Sequence, residues 1–98
     1  MRFEVAKPDA RTALVTVTGE LDLGNVDRLS AAVDQMVTDG LDRLVLEISG
    51  LRFADSSAIA LWVRWSTKVD QLELRDPSPL LRRVVTTMGL AQRLRLTS

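Results

Sequence analysis

An acid and two adjacent hydroxyls, Asp55-Ser56-Ser57, interrupt a largely apolar passage between Leu51-Arg52-Phe53-Ala54 and Ala58-Ile59-Ala60-Leu61. Core packing gives no reason for three polar side chains there, and two chemistries fit them. At a helix start, an aspartate or serine accepts an otherwise unpaired backbone N–H and is an ordinary cap. A serine in the first helical turn, here Ser57, also presents a hydroxyl that can take a phosphoryl group. Phosphorylation adds roughly −1.5 to −2 charges at neutral pH, and the positive end of a helix tolerates them. Asp55 opposes that charge, and Asp22 does so too if the fold brings residues 20–24 alongside. Local tolerance combined with repulsion of an acidic or apolar partner makes a binding switch that needs no unfolding. Catalysis fits less well, because a nucleophilic serine needs an activating base.

Composition narrows the choice further. There is no histidine and no cysteine among the 98 residues, which removes imidazole bases, thiol chemistry and thiolate or imidazole metal sites. No phosphate-cradling glycine loop or acidic metal cluster is visible, so neither a metal nor another cofactor is expected, and an enzyme is a distant possibility. Thirteen basic residues balance thirteen acidic ones, which gives no general electrostatic case for direct contact with nucleic acid. No apolar run approaches the roughly 20 residues that span a bilayer. Arg2, Glu4 and Lys7 do not resemble a signal-peptide core. The expectation is a cytoplasmic protein with no direct membrane insertion.

The elements that must position the Asp55–Ser57 corner follow from periodicity and punctuation. Alternation predicts a strand over 2–6, and Pro8-Asp9 a turn. The β-branched run over 13–19 predicts a second strand, antiparallel to the first. Residues 20–24 form a loop with a buried Leu21. Asn25 is expected to cap a helix carrying Val26, Leu29, Val33, Met36 and Val37 on one face, with Gly40 as its stop. The nearly continuous apolar run over 43–48 suits a central strand buried on both faces. Leu51 and Phe53 are expected to anchor the approach to the corner. A second helix follows over 57–67, then a strand over 72–75. Ser78-Pro79 starts a third helix, with cap and N1 proline together, and Gly89 closes it. Met36 and Met88 are read as fillers of core gaps, and Leu90, Leu94 and Leu96 as packing for the tail. The whole chain, 1–98, is expected to be one small α/β two-layer domain. Its central sheet is mixed but mostly parallel, with helices mainly on one face.

The second helix carries more apolar surface than a simple amphipathic helix requires. Ile59, Trp62 and Val63 lie on one side and Ala58, Leu61 and Trp65 on the adjoining one, interrupted by Arg64. Dense burial of both tryptophans is one reading. A partner-binding patch in which Trp62 or Trp65 is partly exposed is the other, since tryptophan is enriched at interface hot spots. Arg82 and Arg83 are read as solvated.

Three segments in this order, Gly19-Glu20-Leu21-Asp22, Leu51-Arg52-Phe53-Ala54-Asp55-Ser56-Ser57 and Asp76-Pro77-Ser78-Pro79, resemble the STAS domain of bacterial anti-sigma factor antagonists over nearly the whole chain. The resemblance implies a partner switch in transcription control. An unphosphorylated antagonist binds an anti-sigma serine kinase and frees the sigma factor. The kinase phosphorylates the second serine of the Asp-Ser-Ser step, here Ser57, and so releases the antagonist, and a serine phosphatase resets it. Partner contact is then expected at Asp22, Asp55, Ser56, Ala58 and the second helix with Trp62 and Trp65. The family usually has glycine where this chain has Ala58. It also commonly has a longer helix before the next strand than the short passage Thr67-Lys68-Val69-Asp70 permits. The alternative within the family is a non-phosphorylated adaptor subunit of a sensory assembly or lipid-transport ATPase.

Overall fold

A computed structural model describes residues 1–97. Strand β1 (Arg2–Asp9) pairs antiparallel with β2 (Thr12–Leu21) across a tight turn. Helix α1 (Val26–Thr38) returns the chain to β3 (Arg43–Glu47). The short β4 (Leu51–Ala54) leads into α2 (Ser56–Ser66), β5 (Gln71–Arg75), α3 (Pro79–Thr87) and the terminal β6 (Arg95–Thr97). The sheet order is β1-β2-β3-β5-β6, and every pairing after the first is parallel. Each crossover therefore steps the same way across the sheet. Right-handed connections that step in one direction lay their helices on one face, as the composition and element order predict.

Period-two alternation divides the two faces. Ala13, Val15, Val17, Leu44, Leu46, Leu72 and Leu74 are buried toward the helices with Leu29, Val33, Trp62, Trp65 and Val85. The other face carries Thr12, Leu14 and Thr16 of β2 beside Arg43, Val45 and Glu47 of β3 and Gln71, Glu73 and Arg75 of β5. Strand β3 is buried on both faces, as expected, with Leu44 and Leu46 toward the helices. Val45 is buried on the face without helices, beside its neighbours in register, Leu14 and Glu73. Edge strand β1 carries Lys7, Pro8 and a register shift between Ala6 and Asp9, which blunt an exposed edge against further pairing.

Strand β4 continues the line of β3 after a kink and pairs with the end of β2, Gly19 to Leu51 and Leu21 to Ala54. Two glycines make the kink possible. Gly19 has φ +92°, and a Cβ on Gly50 would lie 2.8 Å from Thr18 Cγ2. The Gly19 N–H donates to the Gly50 carbonyl at 3.0 Å. The pairing with β2 is irregular between Gly19 and Glu20, and across that irregularity Leu51 is buried while Phe53 is not. Leu51 anchors the approach as expected, whereas Phe53 is 46% exposed. The register sets it beside exposed Glu20. Met88, expected in the core, is also exposed, because α3 ends there and turns away through Gly89 at φ +73°. No helix among the described residues is long and apolar enough to cross a membrane.

Candidate functional site

The corner between β4 and α2 is built around the Asp55 carboxylate. Asp55 is the N-cap of α2, in an extended conformation, and Ser56, Ser57 and Ala58 fill the first turn. Asp55 Oδ1 accepts the backbone N–H of Ser57 at 3.0 Å and of Ala58 at 3.3 Å, and also the Ser57 hydroxyl. Its other oxygen, Oδ2, accepts the backbone N–H of Leu23 at 3.0 Å. The Ser57 hydroxyl, and after it the amides of Leu23, Ala58 and Ser57, hold the Asp55 carboxyl below the ordinary carboxylate range against the opposing push of burial. The cap is therefore an ionised acceptor, and the Ser57 hydroxyl donates to it.

Residues 21–24 do lie alongside the corner. The Asp55 N–H donates to the Leu21 carbonyl at 3.1 Å, which with the Leu23 bond fastens the loop to the start of α2. The Asp22 carboxylate is turned into its own loop, where Oδ1 accepts the Gly24 N–H at 2.9 Å. Asn25 was expected to cap α1 with its side chain. It instead accepts the Asp22 N–H at 3.0 Å and donates to the Glu20 carbonyl at 2.9 Å. The amide side chain spans the loop it follows, and no side-chain cap bond forms at α1.

Among the expected site residues, Asp22, Asp55, Ser56 and Ser57 gather at this corner, with Ser56 exposed and Ser57 half-buried. Ala58 is there too, but its methyl group is fully buried. The exposed tryptophan patch is corrected: Trp62 and Trp65 are both at 0% exposure. Helix α2 packs on α1, β4 and β5 at once, so a broad apolar arc is what its surroundings require. Trp65 Nε1 donates to Asp34 Oδ1 at 2.6 Å, and Asp34 also takes the Ser30 hydroxyl at 2.6 Å and pairs with Arg64 at 3.3 Å. Burial pushes the Asp34 carboxyl up, but Ser30, Trp65 and Arg64 together bring it below its ordinary value. Neither indole can be a direct contact for a partner.

The surface beside Ser57 is instead a cleft of about 400 Å³ between α1 and α2, lined by Leu23, Val26, Ser30, Ser57, Leu61 and Arg64 among others. Leu23, 76% exposed, is the residue that sequence reasoning missed. Its signal was an apolar side chain in a loop otherwise made of Asp22, Gly24 and Asn25. Among the described residues, no group of three or more acidic side chains converges in a way that could hold a metal ion.

Comparison with known proteins gives a family and a fold. The family model of the Mlab, STAS domain matches residues 5–97. An anti-sigma F factor antagonist of Lysinibacillus sphaericus is 26% identical over 95 residues, spanning 92% of this chain and 81% of that protein. The structure of the anti-sigma factor antagonist SpoIIAA in its unphosphorylated form superposes with a TM-score of 0.85 at 22% identity, covering 99% of this chain and 89% of that one. The Bacillus cell fate determinant SpoIIAA in its phosphorylated form gives 0.80 at 22% identity, covering 99% and 92%. An anti-sigma factor antagonist from Mycobacterium paratuberculosis gives 0.86 at 23% identity, covering 98% and 84%.

Proposed function

The chain belongs to the STAS-domain family, and from that membership we propose that it is an anti-sigma factor antagonist switched by phosphorylation of Ser57. Its partners in this reading are an anti-sigma serine kinase and a serine phosphatase, and the cycle runs in the cytoplasm. The observation that carries the reading is the position of the Ser57 hydroxyl. It lies in the first turn of α2, half-exposed, on the ionised cap Asp55 and at the edge of the α1–α2 cleft. The similarity to an anti-sigma F factor antagonist supports the same assignment.

In the transfer, the γ-phosphoryl group of ATP forms a bond to Ser57 Oγ as its bond to the leaving ADP breaks. The hydroxyl proton passes to a base of the kinase or to solvent. This chain contributes the acceptor and its placement, and the kinase supplies nucleotide and metal. The product carries a dianionic group beside Asp55 and on the partner-facing edge, so an acidic or apolar partner surface is repelled without a change of fold. Ser56 is the exposed neighbour on that edge, and Asp22 adds charge to it.

Buried Ala58 favours a second reading. The family usually has glycine after the second serine, and departure from it suits an adaptor that binds without being phosphorylated, although the methyl group itself is packed inward. Co-purification of the chain from its native cells, with intact-mass and peptide analysis, separates the two. A kinase-domain partner with phosphate on Ser57 is expected. A membrane ATPase partner with unmodified Ser57 establishes the adaptor instead. With purified kinase, Ser57→Ala is expected to keep binding and lose all phosphate incorporation, and Ser57→Asp to weaken binding. Undiminished incorporation into Ser57→Ala refutes the site.

A further inference from the structure

Ser57 and Leu23 share one acceptor. Asp55 gives one carboxylate oxygen to the Ser57 hydroxyl and the first-turn amides, and the other to the Leu23 N–H. Leu23 is the most exposed of the large apolar side chains among the described residues and lines the same cleft as Ser57. From this shared carboxylate we infer that Asp55 is a positioning residue that fixes where Leu23 is presented, and that a phosphoryl group on Ser57 releases it. The inference rests on the reading of Ser57 as a phosphoacceptor.

A phosphoserine ester oxygen has no proton, so Asp55 Oδ1 loses its hydroxyl donor. The new dianion is drawn to the Ser57 and Ala58 amides at the helix start and repels the carboxylate that now holds them. Displacing Oδ1 rotates Oδ2 away from the Leu23 N–H. The loop keeps its internal bonds, Gly24 to Asp22 and the two made by Asn25, and the Asp55 N–H still donates to the Leu21 carbonyl, so the loop pivots about Leu21 as a unit. A partner that reads the charge at Ser57 therefore also loses the apolar contact at Leu23.

The test uses the full chain with phosphoserine built in at position 57 by genetic encoding, so that no kinase is needed. The Leu23 amide is followed by ¹H–¹⁵N NMR and hydrogen exchange. Phosphoserine is expected to speed exchange at Leu23 about tenfold, as loss of a bond to a charged acceptor implies. In unmodified chain, Asp55→Asn is expected to do the same. An asparagine keeps one acceptor oxygen for the helix cap and turns its NH₂ toward Leu23. Ser57→Ala is expected to leave the Leu23 amide unchanged. A Leu23 amide indifferent to phosphoserine overturns the coupling, whatever a kinase does to Ser57. So does loss of protection spread evenly along α2, which would make Asp55 a cap and nothing more. Absence of kinase-dependent phosphate on Ser57 with the Leu23 response intact overturns the proposed function and leaves the coupling standing.

Discussion

Asp55 has two oxygens and four donors, and how it divides them decides what position 55 can be. A neutral side chain with one acceptor can cap α2 or hold Leu23, and only a carboxylate does both. That division was hidden from the sequence, where Asp55-Ser56-Ser57 reads as a cap that can also be a switch. The cap is legible from residue type. The tie to Leu23 depends on the end of β2 lying beside the end of β4, which no local pattern encodes. Ala58 is the other residue on which the site turns. It is the third residue of α2 and fully buried. Ala58→Gly is expected to cost about 1 kcal/mol in urea unfolding, from helix propensity alone. Because the methyl group is buried, the rate of phosphate incorporation at Ser57 is expected to stay unchanged. A raised rate despite the loss of stability would show that position 58 does limit kinase approach.

At the scale of elements, α2 carries the serine on its first turn and two indoles behind it, and the indoles differ. Trp65 donates to Asp34 and so ties α2 to α1. The Trp62 N–H is buried without a hydrogen-bond partner among the described residues. Replacing either ring by phenylalanine removes similar volume, but only one replacement breaks a bond to a carboxylate. Trp65→Phe is expected to cost about 1–3 kcal/mol more than Trp62→Phe, measured as the difference between their urea-unfolding free energies. Equal costs would mean that ring volume alone matters. The apolar arc of α2 was plain in the sequence, but whether it faced core or partner was not, because the answer lies in what packs around the helix. Strands β4 and β6 were likewise not visible as strands. With four and three residues they lack a period to read, and they exist only through pairing with β2 and β5. The longer elements, β2, α1, α2 and α3, were legible because each carries several periods and its own start or stop signal.

For the whole molecule, one-directional crossovers put every helix on one face and leave the other face of the sheet to hold itself together. Glu73 of β5 does this across three strands. Its Oε1 accepts from Arg43 of β3 at 2.7 Å, and Oε2 accepts from Arg75 at 3.0 Å and from Thr97 of β6 at 2.9 Å. Glu73 is only 7% exposed. Burial pushes its carboxyl up, but bonds from Arg43, Thr97 and Arg75 outweigh that and hold it below the ordinary range. A depressed carboxyl contributes stability that is fully present above the unfolded-state pKa, about 4.3, and is lost as pH falls through the folded-state value. Glu73→Gln should therefore unfold at lower urea than the parent at pH 7. The gap should close as pH falls below about 4.3. Asp34, Asp42 and Asp55 are depressed as well, but both proteins retain them, so the difference between the two urea-midpoint curves isolates Glu73. Curves that stay parallel from pH 7 down to about pH 3 would mean that the arginines find other partners when Glu73 is neutral, and that the helix-free face is held by its backbone ladder alone.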